Sequence, residues 1–144
     1  MQLNSDNSTS VDKPNKRPNL VLDLGHPIDV LRRNYSENTV RNIRKASKSS
    51  LRIDPAVELK DIIRLFREHR GRNLPLKEDD FAVLTALYGA AASRGRAVIH
   101  ALTDSTGKLM AGAVFVRSQH GWIFLFSAVH PEGRDSGAMP ALID

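Results

Sequence analysis

Three apolar runs in the second half of the chain constrain its fold more than any other feature of the sequence. They cover residues 97–103, 109–117 and 122–130. Both alternating faces of each run are apolar, which is typical of strands in a sheet that is covered on both sides. The connections at 104–108 and 118–121 are short enough for hairpin loops, so the sequence predicts three antiparallel neighbouring strands.

The beginning of the chain contains little that could enter a core. Residues 1–18 are polar and rich in turn formers, and we expect a flexible tail or the remnant of a linker there. We expect a domain from residue 19 to residue 144. A short strand over 20–24 and a short helix over 28–33 are predicted to open it.

Capping and periodicity predict three longer helices and one more strand before the apolar runs. Ser36 is placed to cap a helix over 37–48, and a short strand is predicted to follow over 51–53. Apolar residues spaced i, i+3, i+4 and i+7 predict an amphipathic helix over 59–69. A second apolar stripe predicts another helix over 79–94, closed by a glycine.

This order of elements indicates an α/β protein of the α+β type. The predicted architecture is a mixed, largely antiparallel central sheet flanked by helices. The third of the three consecutive strands runs into a glycine-bearing turn toward a new helix at the end of the sequence. The sheet is therefore expected to be incomplete after that strand.

Composition excludes several classes of function. The chain has 144 residues, a hydrophobic content of 41% and no cysteine, which fits one globular domain without disulfides, thiolate metal sites or a cysteine nucleophile. No apolar run is long enough to cross a bilayer, so a soluble, cytoplasmic protein is expected. No two histidines have the spacing of a helical metal pair, and no metal is expected. The net charge of +5 favours anionic partners.

The turn after the last apolar run is the first candidate site. Arg134, Ser136, Gly137 and Ala138 lie where a strand is predicted to turn into a helix. Backbone N–H groups converge at such a junction and can hold a phosphate, with the glycine permitting close approach and the arginine adding charge. The alternative is a structural turn in which Ser136 caps the helix.

Two further groups of cations could bind anions. Basic residues spaced i, i+3, i+4 and i+7 form one stripe along the predicted helix over 37–48 and could meet a polyanion such as RNA, or be a solvated face. The loop after the next predicted helix could clamp a carboxylate or phosphate of a substrate, or be plain surface. The stripe consists of Arg41, Arg44, Lys45 and Lys48, and the loop contains Arg70, Arg72 and Asn73.

The sequence resembles a known family at this point. Residues 35–48 resemble the Arg-Asn-Ile-Arg-Lys-Ala segment of Fem-type peptidoglycan aminoacyltransferases and of related acyltransferases in the GNAT superfamily. Two helices, three antiparallel strands and an Arg-x-x-Gly-Ala turn into a helix follow in the GNAT order. The resemblance covers residues 19–144. The family continues into one more strand, so we expect a partial domain that lacks activity alone and self-associates through its unfinished sheet edge.

The resemblance implies an activity and a donor site. It implies acyl or aminoacyl transfer from acyl-CoA or aminoacyl-tRNA to an amine, in a small molecule or a peptidoglycan-type acceptor, with cell-wall or surface-polymer metabolism as the context. Backbone amides of the last strand would position the donor, and the turn after it would bind pyrophosphate; no base is assigned. A basic module that binds nucleic acid through the stripe is the alternative. The implied donor residues are Phe126, Ser127, Ala128, Val129, Arg134, Ser136, Gly137 and Ala138.

Overall fold

The computed structural model describes residues 21–71 and 74–144. They belong to two compact units, one ending at Tyr35 and one spanning Ser36–Asp144. The described part of the first unit contains helix α1 (Ile28–Arg33), preceded by Pro27 as predicted. The predicted tail over 1–18 lies outside the described residues and stays a prediction.

The predicted strand over 20–24 is wrong for the residues that the structure describes. Residues 21–24 form no strand. Oδ1 of Asp23 accepts a hydrogen bond from the backbone N–H of Gly25 at 2.8 Å. This side-chain bond favours a turn over an extended pairing, because it satisfies the backbone locally.

The second unit contains the remaining described helices and strands, which follow the predicted order except for a short additional helix after the last strand. Ser36 caps the first of these helices, with its hydroxyl accepting from the N–H of Thr39 at 3.2 Å. The elements are α2 (Glu37–Ser47), β1 (Arg52–Ile53), α3 (Leu59–His69), α4 (Glu78–Ala92), β2 (Ala97–Thr103), β3 (Leu109–Arg117), β4 (Trp122–Val129), α5 (Pro131–Asp135) and α6 (Ala138–Ile143). None of the described helices is long and apolar enough to cross a membrane.

The four strands form one antiparallel sheet in the order β1-β2-β3-β4. Ile53 pairs with Leu102, Ala101 with Gly112, and Gly112 with Ala128. The prediction of three antiparallel neighbouring strands is confirmed, and so is the predicted fold class. Within the described part of the sheet, β4 occupies an edge position.

Helices cover both faces of the sheet. Successive residues of β3 point to opposite faces of the sheet, so Val114 packs with α3 and α4 while Ala111 packs with α6. Ile62 of α3 and Val114 are both 0% exposed and form the centre of the first core. Ala111 and Ala138 of α6 belong to a second core on the opposite face of the sheet, and helix α2 packs on α6 outside this core.

Two irregularities interrupt the pairing of the long strands. Thr103 pairs with Leu109 and Leu102 pairs with Ala111, so Met110 of β3 lies between these two pairs and has no partner in β2. Between β3 and β4, one residue of β4, Leu125, lies between two regular pairs and has no partner. Such bulges increase the local twist and change the direction of the strand.

Candidate functional site

The end of β4 passes directly into a helix rather than into a loop. His130 is the N-cap of α5, and its Nδ1 accepts a hydrogen bond from the N–H of Glu132 at 3.2 Å. Pro131 follows at the first helical position, where its fixed φ angle favours a helix and its missing N–H costs nothing. The sequence predicted an open turn here. Arg134 therefore lies on the exposed surface of a short helix.

Gly137 connects the two short helices after β4. Its φ angle is +76°, in the left-handed region that favours glycine. A β-carbon here would touch the backbone oxygen of Asn42 in α2 and lie 2.9 Å from the carbonyl carbon of Asn42. The glycine thus allows α2 to approach the turn closely.

The alternative in which Ser136 is the N-cap of the helix after the turn is wrong about the capping residue. The hydroxyl of Ser136 donates to the carbonyl oxygen of Gly133, at 3.2 Å, and so closes α5 instead. Gly137 is the N-cap of α6 and supplies no side chain. Ala138, the first residue of α6, is 0% exposed and packs against the sheet residues Leu102 and Ala111.

Helix α5 lies close to the sheet because of a second glycine. A β-carbon on Gly133 would touch the backbone oxygen of Met110 in β3. Lys108 adds an ion pair from the β2–β3 connection, with Nζ 3.0 Å from Oε1 of Glu132. The turn after β4 is consequently fixed on one side by β3 and on the other by α2.

The four predicted donor residues of β4 point alternately to the two faces of the sheet. Phe126 and Ala128 pack with α3, and the ring of Phe126 lies 5.0 Å from that of Phe66. Val129 packs with α6 on the opposite face. Ser127 pairs with Ala113 and shares the face of Val129. Because β4 is an edge strand of the described sheet, alternate backbone groups on its outer side face away from β3 and are positioned to bind an extended ligand.

The bulge at Leu125 was missed by sequence reasoning. It lies immediately before the predicted donor residues and bends β4 at that point. Residues 122–126 are all apolar, so no break in alternation marks the extra residue. Only the pairing with β3 shows it, since Val114 pairs with Phe126 and Phe115 with Phe124.

The end of α3 lies beside the end of β4. The ring of His69 meets that of His130 edge-on, with centroids 4.6 Å apart. Arg70, the next residue, is exposed and ends α3, with its N–H donating to the carbonyl of Phe66 at 2.8 Å. Arg72 and Asn73, the other predicted substrate-binding residues, lie outside the described part of the chain.

The surroundings of His130 favour its neutral form. Burial lowers the pKa of its imidazole, and the charges of Lys108 and His69 lower it further. A neutral imidazole whose Nδ1 accepts a hydrogen bond has its proton on Nε2. His130 therefore offers no free lone pair to a substrate in this arrangement, and its role at the site is to cap α5.

A polar groove of about 450 Å³ adjoins His130, between α3 and the β2–β3 connection. Its charged lining includes Asp61, Arg64, Glu68 and Lys108. Asp61 and Arg64 form an ion pair of 3.0 Å, so much of this charge is already neutralised. Among residues 21–71 and 74–144, no group of three or more histidine and carboxylate side chains is arranged to hold a metal ion.

The basic stripe of α2 is exposed, as its spacing predicted. Arg41, Arg44, Lys45 and Lys48 all face solvent, and Arg41 donates to Oδ1 of Asn38 at 2.7 Å. Asn42, in the same helix, is the residue whose backbone meets Gly137. The structure thus places α2, the helix that carries the stripe, against the glycine turn, which the sequence did not indicate.

A comparison with models of protein families finds one family that matches most of the chain. A family model described as an acetyltransferase (GNAT) domain matches residues 32–144. The match includes α2, the whole described sheet and the turn after β4. A search among curated proteins finds no match.

Proposed function

The chain belongs to the GNAT acetyltransferase family, whose members transfer acyl groups to amines, generally from acyl-CoA, and we propose that it uses acyl-CoA bound along β4 and the turn after it. One observation supports this proposal above the others. The edge of β4 and the turn at Gly137 are consecutive in the chain, separated only by the short helix α5. A long donor with an amide-rich arm and a pyrophosphate could bind both at once.

In this proposal the backbone of Phe126, Ser127, Ala128 and Val129 pairs with the amide-bearing arm of the donor. Outward-facing N–H and C=O groups of an edge strand can add an extended ligand in the manner of another strand. The bulge at Leu125 changes the direction of β4 just before this segment. It would separate the part of the strand that binds the arm from the part nearer the acyl group.

The pyrophosphate would bind at the turn formed by Arg134, Ser136, Gly137 and Ala138. The first hydrogen bond within α6 runs from the N–H of Ala141 to the carbonyl of Gly137. The N–H of Ala138 precedes that bond and has no partner within the helix. The exposed guanidinium of Arg134 would add a charge-assisted contact. Helix α2 covers the side of Gly137 on which a β-carbon would lie, so the donor would approach Gly137 from another side.

The reaction would be a direct transfer. The lone pair of a neutral acceptor amine attacks the thioester carbonyl carbon, a C–N bond forms and the C–S bond breaks, and the thiolate takes up the proton lost by the amine. Backbone N–H groups near Phe126 would stabilise the negative charge on the carbonyl oxygen. Arg70, Arg72 and Asn73 are proposed to bind an anionic group of the acceptor. Proton removal through water requires no protein base, which agrees with the tautomer of His130.

The resemblance to Fem-type enzymes favours two finer alternatives within the same activity. The donor would then be an aminoacyl-tRNA, and the acceptor a peptidoglycan-type amine. Self-association through the outer edge of β4 would occupy the proposed donor surface, so it is expected to weaken when donor is added.

Replacing Arg134 tests the donor site. Titration calorimetry with acetyl-CoA should show weaker binding by Arg134→Ala, by roughly tenfold or more, as expected for a lost charge-assisted hydrogen bond. Arg94→Ala is the matched control, because Arg94 is also an exposed arginine and its guanidinium donates to the carbonyl of Ala90 near the end of α4, far from the turn in the sequence. Equal affinities of the two variants would show that the turn does not bind the donor.

A further inference from the structure

The stripe of α2 is an uncompensated positive surface. Its four cations are neighbours at i, i+3 and i+4, so each repels at least two others. Within the described residues none of them is in an ion pair, and the helix has one acidic residue, Glu37, at its opposite end from Lys48. The mutual repulsion of these four cations is unfavourable in the free protein. Binding of an anion with several charges would offset this repulsion.

The helix that carries the stripe packs against the turn after β4. Asn42, which contacts Gly137 through its backbone, lies on the buried side of α2. At about 100° per residue, Lys45 is roughly 60° from Asn42 around the helix and Arg41 roughly 100°. Lys45 therefore lies nearest to the contact. Arg41 and, at roughly 120°, Lys48 lie farther around the same flank, and Arg44, at roughly 160°, lies nearly opposite.

We propose that the stripe binds the phosphates at the nucleotide end of the acyl donor, so that α2 and the turn form one anion-binding surface. This inference rests on the proposed function, because it assigns the nucleotide end to the surface next to the proposed pyrophosphate site. From Arg41 to Lys48 the helix rises by about 10 Å, which suits a compact nucleotide with several phosphates.

The chemistry of α2 favours a small nucleotide over single-stranded RNA. RNA-binding surfaces of this kind combine cations with aromatic rings on which bases stack. No aromatic residue occurs between Glu37 and Ser47. The stripe supplies charge for phosphates and nothing on which successive bases could stack.

The probe for the test is adenosine 3′,5′-bisphosphate, the nucleotide part of coenzyme A without its thiol arm. Its affinity for the full chain is measured at several salt concentrations, for the wild type and for Arg41→Gln/Lys45→Gln. The matched control is Arg94→Gln/Arg96→Gln, which removes two exposed arginines after α4. We expect at least a tenfold loss of affinity and a weaker salt dependence in the stripe variant alone.

A second donor distinguishes this inference from the proposed function. S-acetylpantetheine has the thioester and the arm but no nucleotide, so its affinity should be unchanged in the stripe variant, whereas the affinity for acetyl-CoA should fall. If the wild type bound neither donor, the proposed function would be refuted, and nucleotide binding would still test the stripe.

Three results would overturn the inference. One is unchanged affinity of the stripe variant for the bisphosphate. Another is a parallel loss with S-acetylpantetheine, which would mean that the substitutions act on the fold or the acyl end. The third is loss of tRNA binding in the stripe variant with bisphosphate binding intact, which would assign the stripe to RNA.

Discussion

Ile62 of α3 occupies the space in which a β-carbon on Gly112 of β3 would lie. Such an atom would be 2.7 Å from Cγ1 of Ile62 and 2.9 Å from its Cδ1. Ile62 is completely buried, so it has little room to move. The glycine thereby sets how closely α3 lies over the middle of the sheet, next to the strand proposed to bind the donor.

Gly112→Ala is expected to destabilise the protein by about 1–3 kcal/mol, the usual cost of inserting a methyl group into a packed core. Urea unfolding measures the change. Gly89→Ala is the control, because a β-carbon at Gly89 in α4 has open space; there alanine should stabilise by up to about 1 kcal/mol.

Combining Gly112→Ala with Ile62→Ala tests the contact itself. Ile62→Ala alone should cost about 2–5 kcal/mol, because it leaves a cavity. The double variant should lose less than the sum of the two, since the added methyl group enters the vacated space. Strict additivity would mean that the two side chains do not compete for one volume.

Gly137→Ala should destabilise the protein more than Gly95→Ala. Both glycines have positive φ angles, +76° and +63°, so alanine at either costs about 1–2 kcal/mol in backbone energy. At Gly137 the new methyl group also meets the backbone of Asn42, whereas nothing lies near it at Gly95. Thermal or urea unfolding of the two variants gives the difference. Equal losses would contradict close packing of α2 on the turn.

The pKa of His130 predicts how stability depends on pH. Because that pKa is lowered from 6.5 in the folded protein, the unfolded chain binds more protons between the folded pKa and about 6.5. The contribution of His130 is therefore complete above about pH 6.5 and is lost as the pH falls toward the folded pKa. Protonated Nδ1 also cannot accept from the N–H of Glu132.

His130→Asn isolates this effect. Asparagine keeps a side-chain oxygen for the cap and does not titrate. Urea unfolding from pH 5 to pH 8 should show a smaller loss of stability in acid for the variant than for the wild type. The other histidines titrate in both proteins, so identical pH profiles would assign the acid sensitivity to them and not to His130.

Deleting Leu125 should separate folding from donor binding. Without it, Phe124 and Phe126 become consecutive and continue their pairs with Phe115 and Val114 in regular register. The sheet is expected to fold, but its edge should lose the local bend, and acetyl-CoA should bind at least tenfold more weakly, on the order of 1.4 kcal/mol. Calorimetry measures the affinity and circular dichroism the fold. Undiminished affinity would exclude a role for the bulge.

The sequence predicted the strands and long helices because their signals are local. Apolar runs with four- and five-residue connections specify antiparallel hairpins, and Ser36, as a capping residue, specifies the start of α2. The structure confirms these elements. The strand predicted over 20–24 failed because one side-chain bond of Asp23 turns the described part of that segment.

The candidate site was less predictable because its geometry depends on distant parts of the chain. Nothing near Gly137 in the sequence indicates that it meets Asn42, 95 positions earlier, since the contact depends on how α2 packs. Helix α5 was missed because the glycine at 133 resembles a turn signal, although its role is close packing against Met110.

The contact between Gly137 and α2 restricts which amino acids can occur at position 137 far more than at position 42. On the α2 side it is made by the main chain of Asn42, which any amino acid other than proline would supply at that place in a helix. On the other side only glycine combines the positive φ angle with the absence of a β-carbon. Position 42 can therefore diverge among descendants of this chain without altering the contact, while position 137 is constrained by geometry alone, whether or not a donor binds there.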